Sequence, residues 1–263
     1  MLVENRPGTA NLVASQAVAR APADGYTFYF ATTAGLITNA LTFKTPPYDP
    51  ARDFMPVAFV GKSPFFILVH PDVPAKNRAE LFALAKAKPG ALNFATDGAR
   101  NFSGILAAWV GRAAGSPIQQ VPYAVITQGL QDTIAGRTQL LVLGAAPSAA
   151  HVKRGALRVL AVSAGSRIPG WDEVPAIAET VPGFEFVGWF GVVAPTGSPA
   201  EAVQRFSKEL TAILRDPELL QRLRDFGNYP LETAQSPEGF GEFIRAERVA
   251  WTRLLKDVGV EPE

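Results

Sequence analysis

Tyr26-Thr27-Phe28-Tyr29-Phe30-Ala31 is an aromatic-rich run whose composition predicts a buried strand. Residues 11–20 before it predict a short helix, and Pro22-Ala23-Asp24-Gly25 supplies the turn between the two. Thr32-Thr33-Ala34-Gly35 follows the run and predicts a polar loop at the carboxyl end of the strand. Because ligands bind at the carboxyl ends of strands in open α/β sheets, this loop is a first candidate binding segment.

The rest of the chain alternates apolar runs with helical patterns, and turn residues separate them. The predicted strands are residues 55–60, 63–71, 92–95, 118–121, 140–143, 159–162 and 184–194. The predicted helices are residues 79–88, 103–114, 127–135, 148–154, 200–214, 217–226 and 237–258. This alternation predicts an α/β fold with mostly parallel sheets flanked by helices.

Two long apolar segments, near residues 62–70 and 184–194, predict crossings between two lobes. We therefore predict a two-lobed clamshell with one lobe inserted into the other. Lobe one consists of residues 1–62 and 187–263, and lobe two consists of residues 63–186. Ligand binding is expected to close the lobes about hinges near residues 61–64 and 186–189.

Composition excludes several classes of function. The net charge of +1 gives no electrostatic reason to expect a nucleic acid or an anionic membrane as partner. The absence of cysteine excludes disulfides, thiolate catalysis and cysteine-based metal sites. No apolar run approaches the ~20 residues of a membrane-spanning helix, and the first residues lack the pattern of an export signal.

Known catalytic patterns are also missing, since the chain contains no Gly-x-Ser-x-Gly elbow, Walker loop or Gly-x-Gly-x-x-Gly motif. Its two histidines, His70 and His151, are interpreted as structural or solvent-facing. We expect no cofactor, no metal and no catalytic residue. An enzyme, a hydrolase or isomerase on a binding scaffold, is kept as the alternative, because Asp, Glu, Lys or Tyr groups could still carry a reaction.

Four polar segments follow predicted strands, at residues 32–34, 96–103, 122–125 and 144–148. Backbone N–H groups at helix N-termini can hold a carboxylate without any lysine. Each segment could be an ordinary turn, but four of them together favour a binding cleft. The candidate ligand-binding residues are Thr32, Thr33, Ala34, Thr96, Gly98, Arg100, Asn101, Ser103, Tyr123, Ala146 and Pro147.

Short motifs along the whole chain resemble the Bug-type (TctC-like) solute receptors of tripartite tricarboxylate transporters. Individually they are weak, but their order and spacing are specific. They are Glu4-Asn5-Arg6-Pro7-Gly8, Asp24-Gly25-Tyr26-Thr27, Pro47-Tyr48-Asp49-Pro50, Val121-Pro122-Tyr123, His151-Val152-Lys153-Arg154-Gly155, Pro182-Gly183-Phe184 and Trp189-Phe190-Gly191.

The resemblance implies a type II-like periplasmic-binding-protein clamshell. It also implies an extracytoplasmic receptor, in the periplasm, that captures a small di- or tricarboxylate or aromatic acid between its lobes. Such a receptor delivers its ligand to membrane transporter subunits. In the family, a small polar loop matches Thr32 and Thr33, and a lobe-two serine matches Ser103.

The chain departs from the family pattern at several candidate positions. A loop that usually reads Gly-Thr-x-Ser-His is Arg100-Asn101-Phe102-Ser103-Gly104 here. Arg100 could clamp a ligand carboxylate or point outward. The usual Lys-Gly after Tyr123 is Ala124-Val125, and an aspartate near Gly144 is absent. Without that aspartate, a ligand ammonium group would lack an obvious partner, which argues against amino acids and for plain or aromatic acids as ligands.

Members of the family begin with a strand, a helix and a loop that would stand before Val3, and the given sequence lacks them. Lobe one is therefore expected to be N-terminally incomplete. One of three things is expected: the given sequence is incomplete, a homodimer covers the gap left by the missing strand, or the site is crippled and binds no ligand. If the chain is native at full length, a cytoplasmic location is expected.

Overall fold

The computed structural model describes residues 2–6 and 11–262, so Pro7 and Gly8 of the first motif lie outside the described residues. Its helices are α1 (Leu12–Ala19), α2 (Asn39–Thr42), α3 (Pro50–Asp53), α4 (Arg78–Ala87), α5 (Phe102–Ala114), α6 (Ile126–Ile134), α7 (Ala145–Lys153), α8 (Ala200–Ile213), α9 (Pro217–Asp225) and α10 (Pro237–Val258). Its strands are β1 (Tyr29–Thr32), β2 (Phe54–Val69), β3 (Asn93–Thr96), β4 (Gln119–Pro122), β5 (Leu140–Gly144), β6 (Arg158–Val162) and β7 (Val187–Pro195).

The chain forms two compact units. Unit one comprises Met1–Lys62, Trp189–Arg222 and Tyr229–Glu263, and unit two comprises Ser63–Gly188 and Leu223–Asn228. Within the described residues, no helix combines the length and the apolar character that crossing a membrane requires.

Unit one is built on the strand order β1-β7-β2, with β1 antiparallel to β7. Its core combines small aliphatic residues such as Val57 and Val192 with aromatic pairs, among them the stacked rings of Phe28 and Phe206. A second group of rings surrounds the buried Trp189: Phe59, Phe240 and Phe243. This packing fixes the start of the unit-one portion of β7.

Unit two is built on the strand order β6-β2-β5-β3-β4. β3 pairs parallel with β4 and with β5, whereas β2 runs antiparallel to both β5 and β6. The α/β fold is confirmed, but the sheets are mixed rather than mostly parallel. The reason is that β2 is inserted between β5 and β6, which run in the same direction, and it opposes both.

The structure corrects three local predictions. Residues 55–60 and 63–71 were expected to be separate strands, but β2 is continuous, and Lys62 exchanges backbone hydrogen bonds of 2.7 and 3.1 Å with Tyr229. Residues 32–35 were expected to form a loop, but β1 runs directly into a π-helical turn, Ala34–Thr38. Residues 144–148 likewise contain the start of α7, not a loop.

Candidate functional site

The candidate residues of unit two meet at one edge of its sheet. Parallel pairing sets Thr96, the last residue of β3, beside Pro122, the last residue of β4, and the Tyr123 N–H donates to the Thr96 carbonyl at 2.8 Å. β5 runs in the same direction as β3 and ends at Gly144. The segments that follow β3, β4 and β5 therefore lie at the same edge, which we call the carboxyl edge of unit two.

Three helices, α5, α6 and α7, begin at this carboxyl edge. Their N-cap residues are Asn101, Val125 and Gly144, and none of the three makes a side-chain capping hydrogen bond in the described part of the chain. By contrast, α4 in the same unit follows the antiparallel strand β2 and is capped by Asn77, whose Oδ1 accepts from the Glu80 N–H at 3.0 Å. The first N–H groups of a helix have no intrahelical partner. The carboxyl edge therefore concentrates uncapped N–H donors, which favour an anion.

The segment between β3 and α5 is folded by its own hydrogen bonds. The Asp97 N–H donates to Ser103 Oγ at 2.8 Å, and the Ser103 hydroxyl in turn donates to the Asp97 carboxylate. Asn101 Nδ2 donates to the Asp97 carbonyl at 2.6 Å. Asp97 is exposed as a residue, but the partial burial of its carboxyl group beside Ser103 raises its pKa, and the hydrogen bond from Ser103 partly offsets this. Ser103 and Asn101 therefore shape the loop.

Two glycines allow this loop to fold closely against α5. Gly98 has a φ of +124°, a backbone conformation that residues with a side chain rarely adopt. A Cβ on Gly104 would lie 2.1 Å from the Gly98 carbonyl oxygen. The position where the family usually has histidine thus has no room for a side chain here.

Arg100 is exposed on the loop, whereas Thr96 is fully buried. The Thr96 hydroxyl points to Gln120 Oε1 at 3.4 Å, and Gln120 Nε2 donates to the Gly104 carbonyl at 3.0 Å. Thr96 therefore links β3 to β4. Arg100 is the cationic candidate residue at the carboxyl edge.

Tyr123 lies across α6, where a Cβ on Gly129 would come within 2.9 Å of its ring. Its hydroxyl donates to Asp132 Oδ2 at 2.8 Å, and Arg137 binds the other carboxylate oxygen at 2.6 Å. Burial, together with Asp132, raises the pKa of Tyr123, and the hydrogen bond from Arg137 holds the pKa of Asp132 below its usual range. The phenol group therefore faces Asp132.

Ala146 and Pro147 are exposed in the first turn of α7, beyond Gly144. Their side chains are apolar, so only the backbone can offer polar contacts there. Phe65 of β2 pairs with Gly144, and its N–H donates to Ser163 Oγ at 3.0 Å. Phe65, Ser163 and Asp97 were missed as candidates, and only Asp97 had a sequence signal, because it lies inside a predicted loop.

Thr32, Thr33 and Ala34 belong to unit one. Thr33 is only 3% exposed, and its Oγ1 accepts a hydrogen bond from the backbone N–H of Trp189 at 2.9 Å. The Thr32 hydroxyl accepts from Asn11 Nδ2 at 2.5 Å. Asn11 was also missed; among the described residues other than glycine, it alone has a positive φ, at 62°. Both threonine hydroxyls thus have protein partners.

The two histidines are held by local contacts. His70 Nδ1 lies 3.2 Å from the Asp72 N–H, and His151 Nδ1 lies 2.6 Å from Arg154. Burial, and then the charge of Arg154, lowers the pKa of His151. No cluster of three or more His, Cys, Asp or Glu suited to a metal occurs within the described ranges. Two surface grooves, of about 660 Å³ at α2 and α10 and about 390 Å³ along α5, lie away from the candidate residues.

Solved structures of solute-binding proteins share this fold. Rpa4515 from R. palustris, solved with adipate, aligns with a TM-score of 0.90 at 32% identity, covering 100% of this chain and 87% of that one. The periplasmic binding protein BugD aligns with a TM-score of 0.87 at 27% identity, covering 100% and 88%. The fold is therefore that of a periplasmic solute-binding protein.

The family follows from the sequence comparison. The model of the tripartite tricarboxylate transporter family receptor, TctC, matches residues 1–260. A UPF0065 protein of Bordetella bronchiseptica is 34% identical over 263 residues, covering 100% of this chain and 77% of that protein. The chain belongs to the TctC receptor family. The resemblance to Bug-type receptors and the prediction of a solute receptor are thereby confirmed.

Proposed function

We propose that the chain acts outside the cytoplasm, where it captures a small carboxylate at the carboxyl edge of unit two. It then delivers this ligand to the subunits of a membrane transporter. The observation that carries the proposal is the convergence of α5, α6 and α7, three helices without side-chain caps, at one sheet edge. Uncapped N–H groups and the positive ends of helix dipoles favour a carboxylate over a neutral or cationic ligand.

The relatives support this ligand class. The family is described as a receptor of tripartite tricarboxylate transporters, and Rpa4515 was solved with adipate, a dicarboxylate. The family is described as a receptor family, and the proposal assigns no catalytic residue to this chain. A periplasmic location and a membrane partner are in keeping with the family description and belong to the proposal. The lobe division at residues 1–62 and 187–263 against 63–186 also belongs to it.

Within the site, we assign Arg100 the charge contact with the ligand carboxylate. Asn101 and Ser103 hold the loop that presents Arg100 and the start of α5. Ala146 offers its backbone N–H in the first turn of α7, Pro147 has no N–H and adds only apolar surface, and Tyr123 forms an adjoining wall. Thr32, Thr33 and Ala34 are kept as ligand-binding candidates of unit one, where the backbone of the helical turn after β1 is what they offer, because the two threonine hydroxyls are already bonded.

The test is a thermal-shift screen of the purified chain with a panel of carboxylates and matched uncharged amides, followed by calorimetry. A ligand at 100 times its Kd stabilises the folded state by about 2.7 kcal/mol. The Arg100→Gln variant should bind an active acid about tenfold more weakly, because a charge-assisted hydrogen bond is lost. Arg112→Gln, at the other end of α5, is the matched control. Stabilisation by no acid, or equal stabilisation by the amides, would overturn the proposal.

A further inference from the structure

Two phenylalanine rings stack at the carboxyl edge of unit two. The centroids of Phe65 and Phe102 are 4.1 Å apart, and their planes differ by 18°. Both residues are half-buried. Phe102 directly precedes Ser103 in α5, and Phe65 pairs with Gly144 at the end of β5. We call this pair the aromatic shelf.

Buried residues of unit two pack against the aromatic shelf and hold it in place. Phe186, which is 2% exposed, packs against Phe102 with centroids 4.1 Å apart. A Cβ on Gly188 would lie 3.2 Å from the ring of Phe65 and 3.7 Å from that of Phe102, so a larger residue would crowd both rings. The backbone of Phe65 is held by two hydrogen bonds with Ser163, at 3.0 and 2.8 Å. The rings are therefore positioned by the fold itself.

Three other candidate or capping residues at the carboxyl edge are apolar as well. Val125, the N-cap residue of α6 at the same edge, is 54% exposed. Ala146 and Pro147 add further apolar surface at the start of α7. Contact between such a surface and the carbon atoms of a ligand is favourable, because apolar area is removed from water. A hydroxyl or ammonium group placed against it would lose its hydrogen bonds to water and gain no partner.

The geometry points to a ligand class: carboxylic acids whose body is apolar, either an aromatic ring or an unsubstituted methylene chain. Arg100 and the uncapped helix starts bind the carboxylate, and the aromatic shelf receives the carbon body. Short hydroxy acids such as malate or citrate are disfavoured. This inference rests on the proposed function, since it names the ligand class of the same site.

The experiment is calorimetry with phenylacetate, adipate, malate and citrate on the intact chain. The wild type should bind phenylacetate or adipate at least about tenfold more tightly than the hydroxy acids. Phe102→Ala should weaken the apolar acids by about tenfold, because ring contact is lost. Phe82→Ala removes a half-buried ring from α4, which starts away from the carboxyl edge. It should leave the affinities for all four acids unchanged.

Two further variants keep the test decisive if Phe102→Ala does not fold. Phe102→Leu keeps an apolar surface and should retain the preference for apolar acids. Phe102→Tyr adds a hydroxyl and should reduce the difference in affinity between apolar acids and hydroxy acids. Tighter binding of malate or citrate by the wild type, or equal losses for Phe102→Ala and Phe82→Ala, would overturn the inference and leave the proposed function standing. Binding of no acid at all would overturn both.

Discussion

Two polar, glycine-containing segments at strand ends, residues 32–35 in unit one and 97–103 in unit two, have different structures. In unit one, Thr33 is buried and its Oγ1 accepts the Trp189 N–H. In unit two, the loop bonds mainly to itself, and Arg100 stays exposed at the start of an uncapped helix. The difference shows that hydroxyl groups after a strand can fix the fold or frame a site, depending on which partners reach them.

The unit-one segment is fixed by contacts from distant parts of the chain. The Trp189 and Trp251 indoles donate to one oxygen of Glu247 at 2.8 and 3.2 Å. The Tyr48 hydroxyl donates to the Gly35 carbonyl at 2.7 Å, and burial raises the pKa of Tyr29 to about 12. We therefore expect substitutions in unit one to change stability and those at the carboxyl edge to change ligand binding.

The largest effect is expected for Gly104→Ala. The new Cβ would meet the Gly98 carbonyl at 2.1 Å, so the loop or the start of α5 must move. We expect a loss of about 3 kcal/mol in the free energy of unfolding and at least about a tenfold loss of carboxylate affinity. Urea denaturation and calorimetry measure the two.

Gly241→Ala in α10 is the matched control, since its Cβ would meet only atoms 3.5 Å away or farther. It should gain up to about 1 kcal/mol from helix propensity. If both variants behave alike, close approach does not explain Gly104.

Thr33→Val comes next and tests unit one. It removes the acceptor of the buried Trp189 N–H, so the free energy of unfolding should fall by about 2 kcal/mol. Thr33→Ser keeps the acceptor and should lose less than ~1 kcal/mol. Denaturation curves of both variants provide the measurement. A large loss of ligand affinity with unchanged stability would instead make Thr33 a direct ligand contact.

Local sequence signals predicted some elements fully and others only in part. The helix at residues 237–258 has its predicted bounds because Ser236 and Pro237 mark its start and Gly259 its end. The start of the helical turn after β1 was missed because Thr33 bonds to a residue 156 positions away. β2 was predicted as two strands with residues 61–62 between them, but pairing with Tyr229 keeps Lys62 extended. Long-range partners therefore decided what local patterns could not.

A smaller effect is expected for Tyr123→Phe. Its hydroxyl bonds to Asp132, but the site is partly exposed and Asp132 keeps Arg137 at 2.6 Å. The loss should be about 0.5–1 kcal/mol by denaturation, less than for the buried Thr33. Ligand affinity should stay within about twofold, because the hydroxyl faces Asp132. A tenfold loss of affinity would place the phenol in direct contact with the ligand.

The smallest effect, with opposite sign, is expected for Asp97→Asn. Because burial raises the native pKa of Asp97, its contribution to stability is complete below the unfolded pKa and is lost as the pH rises through the native one. The amide introduced by Asp97→Asn keeps an acceptor for Ser103 without the charge. The stability of this variant relative to wild type should therefore rise as the pH increases from about 4 and then level off above the native pKa.

Ligand binding should show the same titration. The Asp97 carboxylate opposes an anionic ligand, and protonation removes that charge, so wild-type affinity for an acid should increase as the pH falls toward the raised pKa. Asp97→Asn should abolish this increase, whereas Asp72→Asn, on a carboxyl that is 92% exposed beside His70, should keep it. If affinity in the wild type is flat over this range, or if both variants lose the dependence, Asp97 does not face the ligand. The Asp97 carboxylate would then be engaged by its hydrogen bond from Ser103, as the Thr33 hydroxyl is by the backbone N–H of Trp189.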